Sequence, residues 1–124
     1  MVYLYTYQLS SFLLYLGHPF FRLNEKSLEN INKNRPNILL AHQPRFIYEL
    51  DEQKQNNIDL VLSGHTHGGQ IYPFKFLVSL VQPYIAGLYG HNNKTQIYVH
   101  KGTGYWGPPM RLVTSCEITK IKLK

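Results

Sequence analysis

The sequence predicts an α/β fold with parallel strands, and two features of the chain indicate it. Residues 37–41 and 58–62 are short apolar runs with the composition of buried strands, and a segment of helical pattern separates them. A connection of that length joins parallel strands through a right-handed crossover. A histidine follows each run, so both histidine loops are expected at one edge of the sheet, where open α/β sheets bind ligands.

The first 35 residues differ in composition from the rest of the chain. Residues 1–21 contain no charged side chain, and residues 24–35 show the pattern of a short amphipathic helix that ends before Pro36. The uncharged segment has three interpretations: a buried strand with part of a helix, a weak membrane anchor, or the product of a truncated gene. The last two are favoured together. The chain thus divides into an N-terminal segment, 1–35, and a domain, 36–124.

Further elements follow in order along the predicted domain. Residues 46–55 place apolar side chains on one stripe and acids outside it, which predicts a helix between the two strands. Residues 86–100 alternate around an Asn-rich turn and predict a hairpin. Residues 102–111 are dense in glycine and proline and predict an ordered loop near the site. Residues 117–123 alternate with lysine and predict a last strand with one solvated face.

Three histidines follow the two buried runs: His42 after the first, and His65 and His67 after the second. On an extended backbone, residues i and i+2 share a side, so His65 and His67 can present both imidazoles to one small volume. Imidazole binds Zn, Mn, Fe and Ni, and one histidine per ion suits a pair of metals about 3.5–4 Å apart. The alternative is a polar turn whose histidines only make hydrogen bonds within the protein.

Arg111 is a candidate phosphate contact, because a guanidinium can hold an anion through two parallel hydrogen bonds. An equally good interpretation is that Arg111 tethers the loop that precedes it. The other histidines fit surface or packing positions better than metal sites; they are His18, His91 and His100.

The composition favours an anionic partner and excludes sites built on cysteines. The net charge of +6 and the isoelectric point near 9.5 suit phosphate esters, nucleic acid or acidic lipid head groups. Cys116 is the only cysteine, so neither an intrachain disulfide nor a cysteine-rich zinc finger can form. Asp51 and Asp59 are the only aspartates, which limits the metal chemistry that the chain can perform alone.

Three stretches of the chain resemble calcineurin-like metallophosphoesterases. They are Leu-Leu-Ala-His-Gln-Pro at 39–44, Asp-Leu-Val-Leu-Ser-Gly-His-Thr-His-Gly-Gly-Gln at 59–70, and Gly-Thr-Gly-Tyr-Trp-Gly-Pro-Pro-Met-Arg at 102–111. The likeness covers residues from about 36 to 124. The second stretch is specific to the family. The third points to a subgroup of membrane-associated phosphohydrolases and of transmembrane proteins with a metallophosphoesterase domain.

The resemblance implies the C-terminal half of a four-layer αββα sandwich with a dinuclear metal site at the strand ends. It implies that His42 and His65 bind one divalent ion and that His67 binds the other, the metals being Mn, Fe, Zn or Ni. A metal-bridging hydroxide would attack phosphorus while the cations neutralise charge on the ester oxygens. The implied substrates are phosphomonoesters or phosphodiesters. A membrane lipid surface is a further implied partner, and no specific nucleic acid is.

The chain also departs from the family's pattern. The family's first half carries Asp-X-His, Gly-Asp and Gly-Asn-His motifs, and none of these occurs here. Three neutral imidazoles offer two dications too few ligands and too little negative charge, so we expect the chain alone to be inactive. The missing half would lie in cis or on another chain. Two alternatives remain: a degenerate, non-catalytic module that binds a metal or an anion, and a basic binder of nucleic acid or lipid.

Overall fold

A sheet of five strands organises the chain. The computed structural model describes residues 3–7, 28 and 31–122. The strands are β1 (Tyr3–Tyr7), β2 (Asn37–Ala41), β3 (Leu60–Ser63), β4 (Gly87–Gly90) and β5 (Gln96–Val99), in the spatial order β1-β2-β3-β5-β4. Strands β1, β2, β3 and β5 run parallel to one another, and β4 runs antiparallel to β5. The predicted α/β class and the predicted hairpin are confirmed.

The crossover between β2 and β3 is helical, as predicted, but the single helix predicted over residues 46–55 is wrong. A 3-10 helix at Pro44–Glu49 is followed by a separate helix α1 at Glu52–Gln55. Asp51 causes the break, because its backbone is extended and its side chain accepts a hydrogen bond from the Lys54 backbone N–H at 2.8 Å. A capping aspartate starts a new helix instead of continuing the old one.

The core lies between the sheet and this crossover. Ile47, Ile58, Val61, Ile97 and Val99 are almost completely buried and belong to one hydrophobic cluster. Burying such side chains contributes roughly 1.5–3 kcal/mol each, which fixes β3 and β5 against the crossover. The same packing sets the positions at which the loops leave the carboxyl ends of the strands.

The C-terminal part of the domain differs from the prediction. The strand predicted over residues 117–123 does not form within the described residues 117–122. The side chains of Glu117 and Thr119 turn inward and bond the Tyr98 hydroxyl, while the apolar side chain of Ile118 is exposed. These contacts are made by side chains. The alternation therefore separates inward from outward side chains, although the backbone of residues 117–122 does not pair as a strand.

Two further segments complete the fold. The apolar segment before Pro83 is a helix, α2, at Phe74–Val81. Most of the predicted N-terminal segment, including most of the helix predicted at 24–35, lies outside the described residues, although residues 3–7 form β1 and pair with β2. Within the described part of the chain, no helix has the length and apolar character needed to cross a bilayer.

Candidate functional site

The loops that follow β2, β3 and β5 meet at the carboxyl edge of the sheet. The Gly64 N–H donates to the His42 carbonyl at 3.1 Å, and the His100 N–H donates to the Ser63 carbonyl at 2.8 Å. These two bonds extend the parallel pairing by one step beyond the strands. The edge at which the sequence predicted a site therefore has a fixed backbone.

His42 and His65 form a close pair at this edge. His42 Nε2 lies 3.2 Å from His65 Nδ1, and the two rings stand at 76° with their centroids 5.0 Å apart. Two nitrogens that each lie about 2.0–2.1 Å from one tetrahedral ion are themselves roughly 3.3 Å apart. The spacing and the donor type of this pair therefore fit two ligands of a single divalent ion.

All three predicted ligands have lowered pKa values, so each imidazole is held neutral. Burial, and then the positive charges of His42 and His67, lower the pKa of His65 to about 4. Burial alone lowers the pKa of His42. The pKa of His67 is lowered by burial first, then by the charge of Arg111 and of His42. Metal ligation requires the neutral ring, so these directions favour binding at neutral pH.

His67 does not join the pair but lies beside Arg111. The Arg111 Nη1–H donates to the His67 carbonyl at 2.9 Å, and Arg111 Nη2 lies 3.5 Å from His67 Nδ1. The same guanidinium donates to the carbonyls of Gly104 at 2.6 Å and of Lys101 at 2.8 Å. These bonds hold the loop at 102–111 against residues 64–70, which we call the histidine loop, as the tethering interpretation predicted.

Positive backbone angles distinguish the histidine loop. His65, His67 and Gln70 all have positive φ, at 67°, 50° and 31°, so the loop is not the extended segment that the sequence predicted. Each such non-glycine residue costs roughly 1–2 kcal/mol, and strained residues of this kind cluster at functional sites. Thr66 is buried and holds the loop by donating to the Ile85 carbonyl at 2.5 Å.

Gln70 is a positioning residue that sequence reasoning missed. Its buried amide donates to the Trp106 carbonyl and accepts from the Trp106 N–H, both at 2.6 Å. Its backbone carbonyl accepts from the Leu112 N–H at 3.0 Å and from the Thr114 hydroxyl at 2.8 Å. The only sequence feature that could have identified Gln70 is its position at the end of the Gly-His-Thr-His-Gly-Gly-Gln stretch.

The aspartates lie away from the histidine pair. Asp51 caps α1, and Asp59 accepts from the Asn37 N–H at 2.8 Å at the opposite edge of the sheet. Among residues 3–7, 28 and 31–122, no group of three or more His, Cys, Asp or Glu side chains is placed to hold a metal ion. Within that part of the chain, the carboxylate ligands expected of a dinuclear site are not supplied.

Two histidines have packing roles, as expected from the sequence. His91 bonds the Tyr84 hydroxyl and the Gln55 side-chain oxygen, both at 2.9 Å. His100 accepts from the Gly102 N–H at 2.8 Å. His18 lies outside the described residues.

Proteins named metallophosphoesterases align with most of this chain. A metallophosphoesterase of Helicobacter pylori is 52% identical over 99 residues, which is 80% of this chain and 26% of the relative. A transmembrane protein with a metallophosphoesterase domain from Danio rerio is 47% identical over 100 residues, 81% of this chain and 23% of the relative. The metallophosphoesterase YkuE of Bacillus subtilis is 35% identical over 116 residues, 90% of this chain and 38% of the relative.

These matches cover most of this chain but only a minor part of each relative. The chain spans about a quarter of the length of the first two of these curated relatives. No protein-family model matches the chain, and no solved structure does.

Proposed function

The chain belongs to the metallophosphoesterase family, and we propose that it carries the imidazole ligands of a dinuclear metal site that hydrolyses phosphomonoesters or phosphodiesters. The observation that supports this most directly is the 3.2 Å approach of His42 Nε2 to His65 Nδ1 at the carboxyl edge of the sheet. In the proposal these two rings hold one ion, and His67 contributes to a second.

The chain's own residues have distinct tasks in this proposal. The bound divalent ions would stabilise negative charge on the phosphate oxygens. His42 and His65 stay neutral and so keep a nitrogen lone pair for the ion. Arg111 and Gln70 hold the loop at 102–111 beside the histidines. Arg111 could contact phosphate only by exchanging a carbonyl partner, since both of its terminal nitrogens already donate to carbonyls.

We further propose that the carboxylate and amide ligands come from a further segment, in cis or on another chain. Asp51 and Asp59 are both engaged far from the histidine pair. Neutral imidazoles alone do not balance two dications. The chain alone would then bind metal weakly and hydrolyse nothing.

A second candidate function is a non-catalytic module that binds one metal ion or an anion. The observation in its favour is the lack of a carboxylate near the histidine pair within the described residues. Association with a lipid surface is compatible with either candidate.

Hydrolysis of bis(4-nitrophenyl) phosphate with Mn²⁺ separates the two candidates. We would assay the chain alone and the chain joined to the unmatched remainder of the Helicobacter pylori relative. Each would carry His65→Ala, His67→Ala or, as the matched control, His100→Asn, which keeps an acceptor for the Gly102 N–H. The proposal predicts activity only in the extended form, loss in the first two variants and retention in the third. No activity in either form would support the binding module.

A further inference from the structure

A cavity of about 330 Å³ lies between the histidine loop, helix α2, strand β4 and residues 113–115. Small-molecule sites in proteins typically enclose about 300–1,000 Å³, so a compact organic ligand fits this volume. None of the three histidines proposed as metal ligands, all of which the structure describes, lines the cavity. The cavity is therefore separate from the proposed metal site.

Two lysines line this cavity, and the stem of each packs on one glycine of the histidine loop. A Cβ added at Gly68 would lie 3.1 Å from the Lys101 Cγ, and one added at Gly69 would lie 2.7 Å from the Lys75 Cβ. Lysine can pack its aliphatic stem in this way while its ammonium group stays accessible. The two adjacent glycines therefore bring two cationic side chains to one cavity.

The charge of these lysines is not balanced on the wall of the cavity. Among the lining residues within the described part of the chain, none is an aspartate or a glutamate. The Lys101 Nζ lies 3.9 Å from a Glu117 carboxylate oxygen, which is longer than a hydrogen bond. No carboxylate of residues 3–7, 28 and 31–122 pairs with Lys75. A concave wall with charge of one sign concentrates ions of the opposite sign, which here are anions.

Val113, a further lining residue, has a strained backbone. Its φ is +66°, which is an outlier for a β-branched residue, and its side chain is 81% exposed. Both neighbours of Val113 are held by the Gln70 carbonyl, which accepts from the Leu112 N–H at 3.0 Å and from the Thr114 hydroxyl at 2.8 Å. Strained backbone of this kind clusters at ligand sites, so it supports a binding role for the cavity.

We propose that this cavity binds a small organic anion. Its phosphate or carboxylate group would lie beside Lys75 and Lys101, and its compact apolar body would contact Ile85, Ala86 and Val113. Ligand sites commonly combine an apolar lining with a few polar groups that fix the orientation, and lysine binds such anions as a point charge. The inference goes beyond the proposed hydrolysis and does not depend on it, because no proposed metal ligand takes part.

The test is isothermal titration calorimetry of the full chain with 2-naphthyl phosphate, with 2-naphthoate and with the neutral 2-naphthol. A chelator is present, so that no metal ion binds the anions. Lys75→Met and Lys101→Met are the test variants, since methionine keeps an apolar stem and removes the charge. Lys94→Met is the matched control, because Lys94 does not line the cavity and its Nζ lies 3.5 Å from the Asp59 carboxylate.

We expect one or both anions to bind, with 2-naphthol at least about tenfold weaker than the tighter anion. That anion identifies the preferred charged group. Each test variant is expected to weaken anion binding at least about fivefold, because a charged partner is lost, and Lys94→Met is expected to leave it unchanged. Absence of anion binding, equal affinity for 2-naphthol, or the same loss in Lys94→Met as in the test variants overturns the proposal.

A second variant keeps the test decisive if a lysine variant does not fold, which thermal unfolding of each protein shows. Val113→Asp adds a carboxylate to the wall at an exposed position, and aspartate tolerates positive φ better than valine does. We expect Val113→Asp to keep the melting temperature and to weaken anion binding at least about fivefold. Unchanged anion binding in Val113→Asp would overturn the proposal.

Discussion

The histidine loop and helix α2 are adjacent in the fold, but the loop buries polar groups whereas α2 exposes apolar ones. Residues 66–70 bury polar groups and satisfy them, with Thr66 and Gln70 each less than a tenth exposed and hydrogen bonded. Residues 74–81 expose apolar groups that pack against little else. Hydrogen bonds offset the cost of burying the polar groups of the loop, whereas the exposed apolar side chains of α2 forgo the free energy that burial would contribute. The contrast therefore separates a region that the fold holds rigid from a region that is left available for a partner.

We expect the largest change in unfolding free energy from a substitution at the contact between the histidine loop and α2. Gly69→Ala places a Cβ 2.8 Å from the Lys75 Cα at a residue with φ of +80°. Strain from positive φ and overpacking together are expected to cost about 2–5 kcal/mol of unfolding free energy. Urea denaturation of Gly69→Ala and of the wild type measures this loss of unfolding free energy.

Gly64→Ala is the matched control, because an added Cβ there meets nothing within 4 Å and φ is not positive. We expect its unfolding free energy to change by less than about 1 kcal/mol. Equal effects of the two substitutions would show that the histidine loop is not packed against α2.

A smaller effect is expected from Gln70→Ala. The change leaves the Trp106 N–H and carbonyl without the buried amide that now bonds both, at a cost of roughly 1–3 kcal/mol. Leu77→Gln, at an exposed position of helix α2, should shift the unfolding free energy by no more than about 0.5 kcal/mol. Denaturation of both variants gives the comparison directly, and a reversed order would mean that α2 is buried and the loop is not.

The smallest effect is a dependence of stability on pH. The pKa of His65 in the folded protein is about 4, below the ordinary 6.5. The unfolded chain therefore takes up a proton near pH 6.5, while the folded chain resists it until about pH 4. The stabilisation is full above pH 6.5 and is lost as the pH falls towards 4. Solvent reduces its size, because the ring is only partly buried.

Urea denaturation at a series of pH values, with chelator present, measures this dependence. His65→Asn should flatten the slope between pH 6.5 and 4 without removing it, because His42 and His67 also have lowered pKa values. A slope unchanged in His65→Asn would show that His65 titrates normally in the folded chain.

Local patterns predicted the elements that contribute most of the core. The runs at 37–41 and 58–62 are apolar and lie a crossover apart, and they form the parallel strands β2 and β3 with only a shift of bounds. The Asn-rich turn between two alternating runs likewise predicted the β4–β5 hairpin. Side-chain period and turn chemistry are local properties, so a sequence shows them directly.

The parts that could not be predicted depend on groups distant in the chain. Arg111 and His67 are 44 residues apart, and no spacing rule implies either their contact or the positive φ values of the histidine loop. The Gln70 amide likewise bonds Trp106 across 36 residues. The metal ligation of the three histidines and the boundary at residue 35 remain predictions.

The proposed site requires that His42 and His65 share one divalent ion. Isothermal titration calorimetry with Zn²⁺ tests it without any need for activity, on the wild-type chain, His42→Ala, His65→Ala and the His100→Asn control. We expect one site in the wild type, kept in His100→Asn and weakened at least about tenfold in each alanine variant, because a bound ion loses a ligand. Zn²⁺ affinity in His42→Ala and His65→Ala equal to that of the wild type would contradict it.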